Sequence, residues 1–256
     1  MKRSRVPFFT TITVLVFFYL PLIVLSINSF NDSRYGGPWK GFTFRWYVRL
    51  FHDPQIWHAL KNTLLIAVSA TLVSMMIGTL AAFALHRYRS RLQMVHYGMI
   101  YSPLIVPDIL MGMSLLLFFV ALKVKLGLFT IFIAHVTFCL SYVTMVVLSR
   151  LQDFDFSLIE AAQDLGANGW TAFRRILLPL IMPGIAAGGL LAFTLSLDDF
   201  VITFFVSGPG STTLPIHIYS MMKHGAPAVI NALSVILLLI TFVLVSASRT
   251  MREKTE

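Results

Sequence analysis

The sequence predicts an all-α membrane protein of six transmembrane helices with both termini cytoplasmic, and three observations predict it. Of its 256 residues, 57% are hydrophobic and 12% charged, with a mean hydropathy of +0.80. A soluble domain carries about 25% charged residues, and a lipid-facing surface accounts for such a deficit where a globular core does not. Six segments, roughly 7–28, 60–85, 97–122, 127–149, 179–206 and 228–248, supply the ~20 apolar residues that a spanning helix needs. None shows the short alternation of a strand. The basic residues lie in short clusters between these runs, as topology-setting anchors do. The formal charge of +9 is therefore not a nucleic-acid surface.

The first span follows Lys2, Arg3 and Arg5. A secretory signal also pairs basic residues with an apolar run, but the run from Val6 to Phe30 is long for one and no small-residue cleavage pattern follows. It reads as an uncleaved span. Tyr19 sits at mid-depth, two residues before Pro21. A phenol there either accepts a cation on its ring face or bonds a neighbouring helix. In the outer loop at 30–59, Gly41 to Tyr47 continuing to Phe51 reads as a short helix capped by Thr43. Its aromatics, interleaved with Arg45 and Arg49, suit the membrane interface.

Stretches 62–85, 126–149 and 225–248 contain no charged residue. With the N-terminus inside, twelve of the 20 Lys and Arg residues face the cytoplasm: Lys2, Arg3, Arg5, Arg87, Arg89, Arg91, Arg150, Arg174, Arg175, Arg249, Arg252 and Lys254. The inside clusters are dense and abut helix ends, where the bias counts most. Cys139, the single cysteine, lies within an apolar run and reads as a small buried hydrophobe.

Three groups that are clearly charged at neutral pH fall inside predicted spans, and all are acidic. Each costs about 2.5–3.5 kcal/mol on insertion scales and is a functional candidate by default. Asp108 lies near the middle of span three, after Pro103 and Pro107, which can distort the helix and open backbone carbonyls; Asp198 and Asp199 lie in the outer half of span five. No Lys or Arg lies deep in a span to neutralise them, so the solute or a partner subunit must supply positive charge. On span five, Gly184, Gly188, Ala192 and Ser196 form a small-residue stripe suited to close helix packing. Steps of about 100° place Asp199 on that stripe and Asp198 beside it. Asp198 is then the pathway residue and Asp199 the interhelical hydrogen-bonding one; a stripe that lined the pathway would reverse the two.

The inside loop between spans four and five reads Ser157-Leu158-Ile159-Glu160-Ala161-Ala162-Gln163-Asp164-Leu165-Gly166, then nine residues to Ile176-Leu177-Leu178-Pro179. Ser157 and Glu160 form a capping box that starts a helix, and Gly166 can take the left-handed conformation that ends it. Asn168 can cap a second short helix ending at Arg174 and Arg175, whose charges suit a helix C-terminus. Pro179 then opens the fifth span. This local reading gives a helix–turn–helix on the cytoplasmic face. There is no phosphate loop, His-Glu-x-x-His, Cys-x-x-Cys or Gly-x-Ser-x-Gly, so the chain offers neither its own ATP site nor enzyme chemistry.

Glu160-Ala161-Ala162, Gly166 and Ile176-x-Leu178-Pro179 resemble the EAA loop of ABC importer permeases. The resemblance implies the type I importer permease fold, and a coupling loop at about 150–178 within a single permease domain over 1–256. Glu160, Ala161, Ala162, Asp164 and Gly166 would then dock an ATPase. A second resemblance runs nearly end to end, to the PotC-type permease family of spermidine/putrescine importers. It is carried by Tyr19-Leu20-Pro21, Asn28-Ser29-Phe30-Asn31, Phe42-Thr43-x-x-Trp46-Tyr47, Pro107-Asp108-Ile109, His135-x-Thr137-Phe138-Cys139 and Phe193 to Asp199. The segment Ser207 to Pro215 looks closer to the paralogous putrescine-specific permease, which leaves spermidine against putrescine open.

The resemblance implies a multi-pass protein of the bacterial inner membrane. Its partners would be a second, non-identical permease, two cytoplasmic ABC ATPases that bind ATP and Mg, and a periplasmic polyamine-binding protein, with lipid around it. The chain itself would need no cofactor, no metal and no nucleic acid. Tyr19, Asp108, Asp198 and Asp199 form the candidate pathway. Another cation on the same fold, such as ferric iron or a thiamine-like molecule, is one rival reading; a stand-alone channel or secondary transporter is the other.

Overall fold

The structure, a computed structural model, describes residues 6–252 apart from 35, 36, 89, 90, 153, 156 and 226. Of the basic clusters, Lys2, Arg3, Arg5, Arg89 and Lys254 lie outside the described residues. The elements are α1 (Val6–Asn28), α2 (Arg45–Phe51), α3 (Pro54–Arg87), α4 (Gln93–Ile105), α5 (Asp108–Ala121), α6 (Leu128–Gln152), α7 (Ser157–Asp164), α8 (Gly169–Ala172), a π-helical turn (Phe173–Leu177), α9 (Leu178–Asp198), α10 (Val201–Val206), α11 (Leu214–Lys223) and α12 (Pro227–Arg252). The isolated bridge Asn31–Phe42 is the extended pairing found among the described residues.

Four helical stretches are long and apolar enough to cross a membrane: Pro7–Asn28, Pro54–Arg87, Leu128–Gln152 and Gly169–Asp198. The pair α4 and α5 makes a fifth if its two halves are one span. In α12 the apolar stretch Ala228–Phe242 is shorter.

The expected third span is not a straight helix. α4 and α5 meet at 112°, and the reason is local. Val106 precedes a proline and is pushed to extended backbone, at ψ 129°, and Pro107 follows with ψ 138°. Each half is ~20 Å long, short of the ~30 Å hydrocarbon layer. The fifth span also differs from its expectation. Helix runs without interruption from Gly169 into α9, so Arg174 and Arg175 lie inside a π turn rather than at a helix C-terminus. In a regular helix the Pro179 ring would clash with the Arg175 carbonyl; widening the preceding turn by one residue relieves this. At the far end α9 stops at Asp198 rather than continuing to 206.

The chain divides into two compact units, 1–57 with 217–256, and 58–216. In the first unit α1 packs on α12 and is otherwise exposed, and α2 also packs on α12. Its loop is an aromatic knot. Trp46 is buried and its indole N–H donates to the Asn31 carbonyl at 2.8 Å, while Phe30, Phe42, Phe44 and Tyr47 stack around one another. Phe44, not Thr43, is the N-cap of α2; the Thr43 hydroxyl accepts the Arg45 N–H at 3.1 Å, one residue early.

The second unit is built around α6, which buries twelve residues from Thr130 to Leu151. The small stripe of α9 faces it. A Cβ on Gly184 would stand 2.5 Å from the Arg150 side chain, and one on Gly188 would stand 3.3 Å from the Val143 Cα. Gly189 lies against Met75 of α3, and Gly78 of α3 against Val143. Close approach at these glycines is what lets three apolar helices associate without a hydrophobic driving force between them. α5 packs on α10, where a Cβ on Gly112 would meet Phe205 at 2.7 Å.

Candidate functional site

The break between α9 and α10 gathers one buried polar cluster of the second unit. Asp199 has ψ 122°, which ends α9, and its carboxylate turns to the start of α10. Oδ1 accepts the Ile202 N–H at 3.3 Å; Oδ2 accepts the Thr203 N–H at 2.8 Å and the Thr203 hydroxyl at 2.6 Å. His135 of α6 lies 3.4 Å from Oδ2 through Nε2. Its side chain is 2% exposed and that of Asp199 is 9% exposed. His135 also meets Ser196 through Nδ1 at 2.7 Å and Thr203 through Nε2 at 2.8 Å. One turn further along α6, the Cys139 thiol donates to the Ala192 carbonyl at 3.4 Å.

Asp198 is exposed, at the last position of α9. The 100° step between the two aspartates therefore does not apply, because helix ends between them. The stripe Gly184, Gly188, Ala192, Ser196 is buried. A carboxylate at a helix C-terminus stands where last-turn carbonyls lack intrahelical donors and the dipole end is negative. That arrangement repels anions and suits a cation.

Asp108 is exposed in the first turn of α5, directly after the bend, and not in mid-helix. α5 packs on the same α10 whose first-turn N–H groups donate to Asp199. Tyr19 belongs to the first unit. It is exposed and lines an apolar groove of about 850 Å³ between α1 and α12, with Phe30, Leu238 and Phe242 among its walls. The structure thus joins Asp198 and Asp199 at one break, adds Asp108 on a packed neighbour, and leaves Tyr19 in a different unit. His135, Ser196 and Thr203 are the site residues the sequence reading left out. Their signal was an imidazole within a charge-free apolar run, since a buried ring of that kind must find partners for both nitrogens.

The loop between α6 and α9 forms its own feature. The Asp155 carboxylate accepts the Ser157 N–H at 3.0 Å, so this acceptor, rather than a Ser157–Glu160 box, serves the start of α7. Bonds from the Ser157 N–H and hydroxyl hold the Asp155 carboxyl below the usual carboxylate range. Gly166, at φ +90°, ends α7 as expected. Its N–H donates to the Gln163 carbonyl and the Ala167 N–H to the Ala162 carbonyl, both at 2.9 Å, the pair of bonds that defines a Schellman end. Asn168 caps α8, accepting the Thr171 N–H at 2.8 Å. Glu160, Ala161 and Asp164 are exposed and Ala162 is half-buried. Leu165 (90% exposed) and Trp170 (67% exposed) stand out from the same loop. Glu160 and Gln163 line a cleft of about 640 Å³ with Phe83, His86 and Arg87 of α3.

A bundle of long apolar helices, a broken helix carrying carboxylates and an exposed helix–turn–helix loop define a membrane permease. The family described as binding-protein-dependent transport system inner membrane component matches residues 74–250, and the chain belongs to it. It is a transporter subunit, not an enzyme, and a multi-pass membrane protein. Among curated relatives, it is 44% identical to the spermidine/putrescine transport system permease protein PotC of Escherichia coli K12, covering 95% of this chain and 92% of the relative. The PotC of Haemophilus influenzae is 43% identical, with 94% of each chain covered. The putrescine transport system permease protein PotI of Escherichia coli K12 is 46% identical over 87% of this chain and 82% of the relative. Among solved structures, a chain of a bacterial ABC transporter involved in the import of the acidic polysaccharide alginate superposes with a TM-score of 0.73 at 20% identity. The match covers 96% of this chain and 98% of that one. A chain of the inward-facing MetNI methionine ABC transporter gives 0.63 at 18% identity, covering 78% and 97%. These two likenesses concern the fold.

Proposed function

We propose that this chain is the permease subunit of an ABC importer that carries polyamines, spermidine or putrescine or both, across the bacterial inner membrane by alternating access. The observation that carries the reading is the near-full-length identity of 44–46% to permeases named for those two amines. The site agrees in sign: exposed Asp198 at the end of α9 and exposed Asp108 at the start of α5 are acidic. An ammonium leaving water needs compensating charge, because burying an unpaired ion costs several kcal/mol.

The full architecture we assign has six spans, formed by α1, α3, the α4–α5 pair, α6, α9 and α12, with both termini cytoplasmic. A second, non-identical permease completes the pathway, a periplasmic binding protein delivers the solute, and two cytoplasmic ATPases bind ATP and Mg. Docking on the ATPase falls to Glu160, Ala161, Ala162, Asp164 and Gly166, with the exposed Leu165 and Trp170 beside them. The test is uptake of labelled spermidine and putrescine by the reconstituted importer, with and without its ATPase. ATP-dependent uptake of at least one of the two, unaffected by excess thiamine or ferric iron, is the expected result. Uptake that persists without the ATPase, or that ignores both amines, overturns the reading.

A further inference from the structure

We propose that His135 is a positioning residue of the translocation pathway, which acts through the α9–α10 break to fix where the Asp198 carboxylate stands; this rests on the transport reading above. The imidazole joins three elements. From α6 it reaches Ser196 in the last turn of α9 and Thr203 in the first turn of α10, at 2.7 and 2.8 Å. The direction of these bonds follows from proton counting. The Thr203 hydroxyl has one proton, which goes to Asp199 Oδ2 at 2.6 Å. Its oxygen must therefore accept from His135, so Nε2 carries a proton. Nδ1 in turn shares a hydrogen bond with the Ser196 hydroxyl, which serves as donor or acceptor there. The result is a continuous chain through Ser196, His135, Thr203 and Asp199, directed from His135 onward and ending on a carboxylate that also takes two backbone N–H groups.

Each polar atom named in this chain has a partner, and a fully satisfied buried network fixes one geometry where a partly satisfied one does not. Here the fixed quantity is the join between α9 and α10. Asp198 accepts no role in the network and stays exposed at its edge, so its direction is set by where α9 is made to stop. The packing around the ring adds stiffness, with the Phe138 ring centroid 5.2 Å away and the Cys139 thiol tied to the Ala192 carbonyl.

The experiment uses the complete importer in proteoliposomes and reads maximal uptake rate and half-saturation by loaded binding protein, per unit of ATPase-competent complex. His135→Phe keeps a ring but deletes both hydrogen bonds; it should lower the maximal polyamine rate about tenfold, with half-saturation unchanged. His135→Gln, which keeps a donor near the Nε2 position, should recover most of that loss. In an Asp198→Asn background, His135→Phe should cost less than about twofold more, because both changes act through one carboxylate. An undiminished tenfold loss in that background, or near-normal uptake by His135→Phe alone, overturns the proposal. Should His135→Phe not assemble, Thr203→Val removes the same chain from the α10 side and carries the same expectation. A second readout needs no solute and so separates this proposal from the transport reading. Cys139 is the chain's single cysteine and is buried. In Asp198→Cys, reaction with a charged thiol reagent should shift several-fold when His135→Phe is added; an unchanged rate overturns the positioning role even where uptake is never observed.

Discussion

At the end of α9 two neighbouring carboxylates meet different surroundings. Asp199 accepts three hydrogen bonds from the start of α10 and faces His135, whereas Asp198 is exposed at the last position of α9. Their substitutions should separate accordingly. Asp108→Asn and Asp198→Asn keep shape and remove charge; losing about 1–2 kcal/mol of transition-state stabilisation slows uptake about 5–30-fold, measured as initial rates at normal membrane levels. Near-normal uptake by the double variant would place the pathway lining on the partner permease. Asp199→Asn keeps one acceptor oxygen but puts an NH2 group against the donors on the other side, which then have no acceptor, at a cost of about 1–3 kcal/mol. Its main effect should be a lower thermal midpoint of the purified complex, and an unchanged midpoint would remove the cap from that role. The sequence made the three aspartates legible because charge in an apolar run is visible in one dimension. It hid His135, because whether a polar ring is a partner or a packing residue depends on what α9 and α10 bring to it.

The elements were legible where local chemistry decides them and misread where packing does. Gly166 and Asn168 announce their turns by residue type, and both do what that type allows. At Val106–Pro107 the prolines announced a distortion, but its 112° size was not legible, since apolar composition reports membrane compatibility and not direction. The two motifs give two predictions. At Gly166 a Cβ would meet nothing within 4 Å, so Gly166→Val costs only the backbone's left-handed strain, about 1–2 kcal/mol. That should unwind the α7 end and abolish solute-stimulated ATP hydrolysis while the protein remains inserted. Normal stimulation at normal membrane levels would remove the docking assignment. At Gly112 the space is already filled by Phe205 and the Ile202 backbone. Gly112→Leu should therefore overpack the α5–α10 contact by about 1–3 kcal/mol and lower the thermal midpoint of the complex; an unchanged midpoint would mean that α5 and α10 part without cost.

For the whole molecule, hydropathy alone returned the helical fold class, because lipid forces long helices on any chain of this composition. What composition could not return is how far a helix continues past its span. Helix persists from Gly169 to Asp198, 30 residues, with the π turn inside it. At 1.5 Å per residue that is a rod of about 45 Å, half as long again as the hydrocarbon layer is thick. One end carries the exposed Trp170 and the other the exposed Asp198. Moved as one piece, such a helix is a lever arm: a tilt of about 10° about its Trp170 end sweeps the Asp198 end through roughly 8 Å for a 45 Å arm. A small rotation at the loop thus becomes, at the far end, a displacement larger than the width of a polyamine chain.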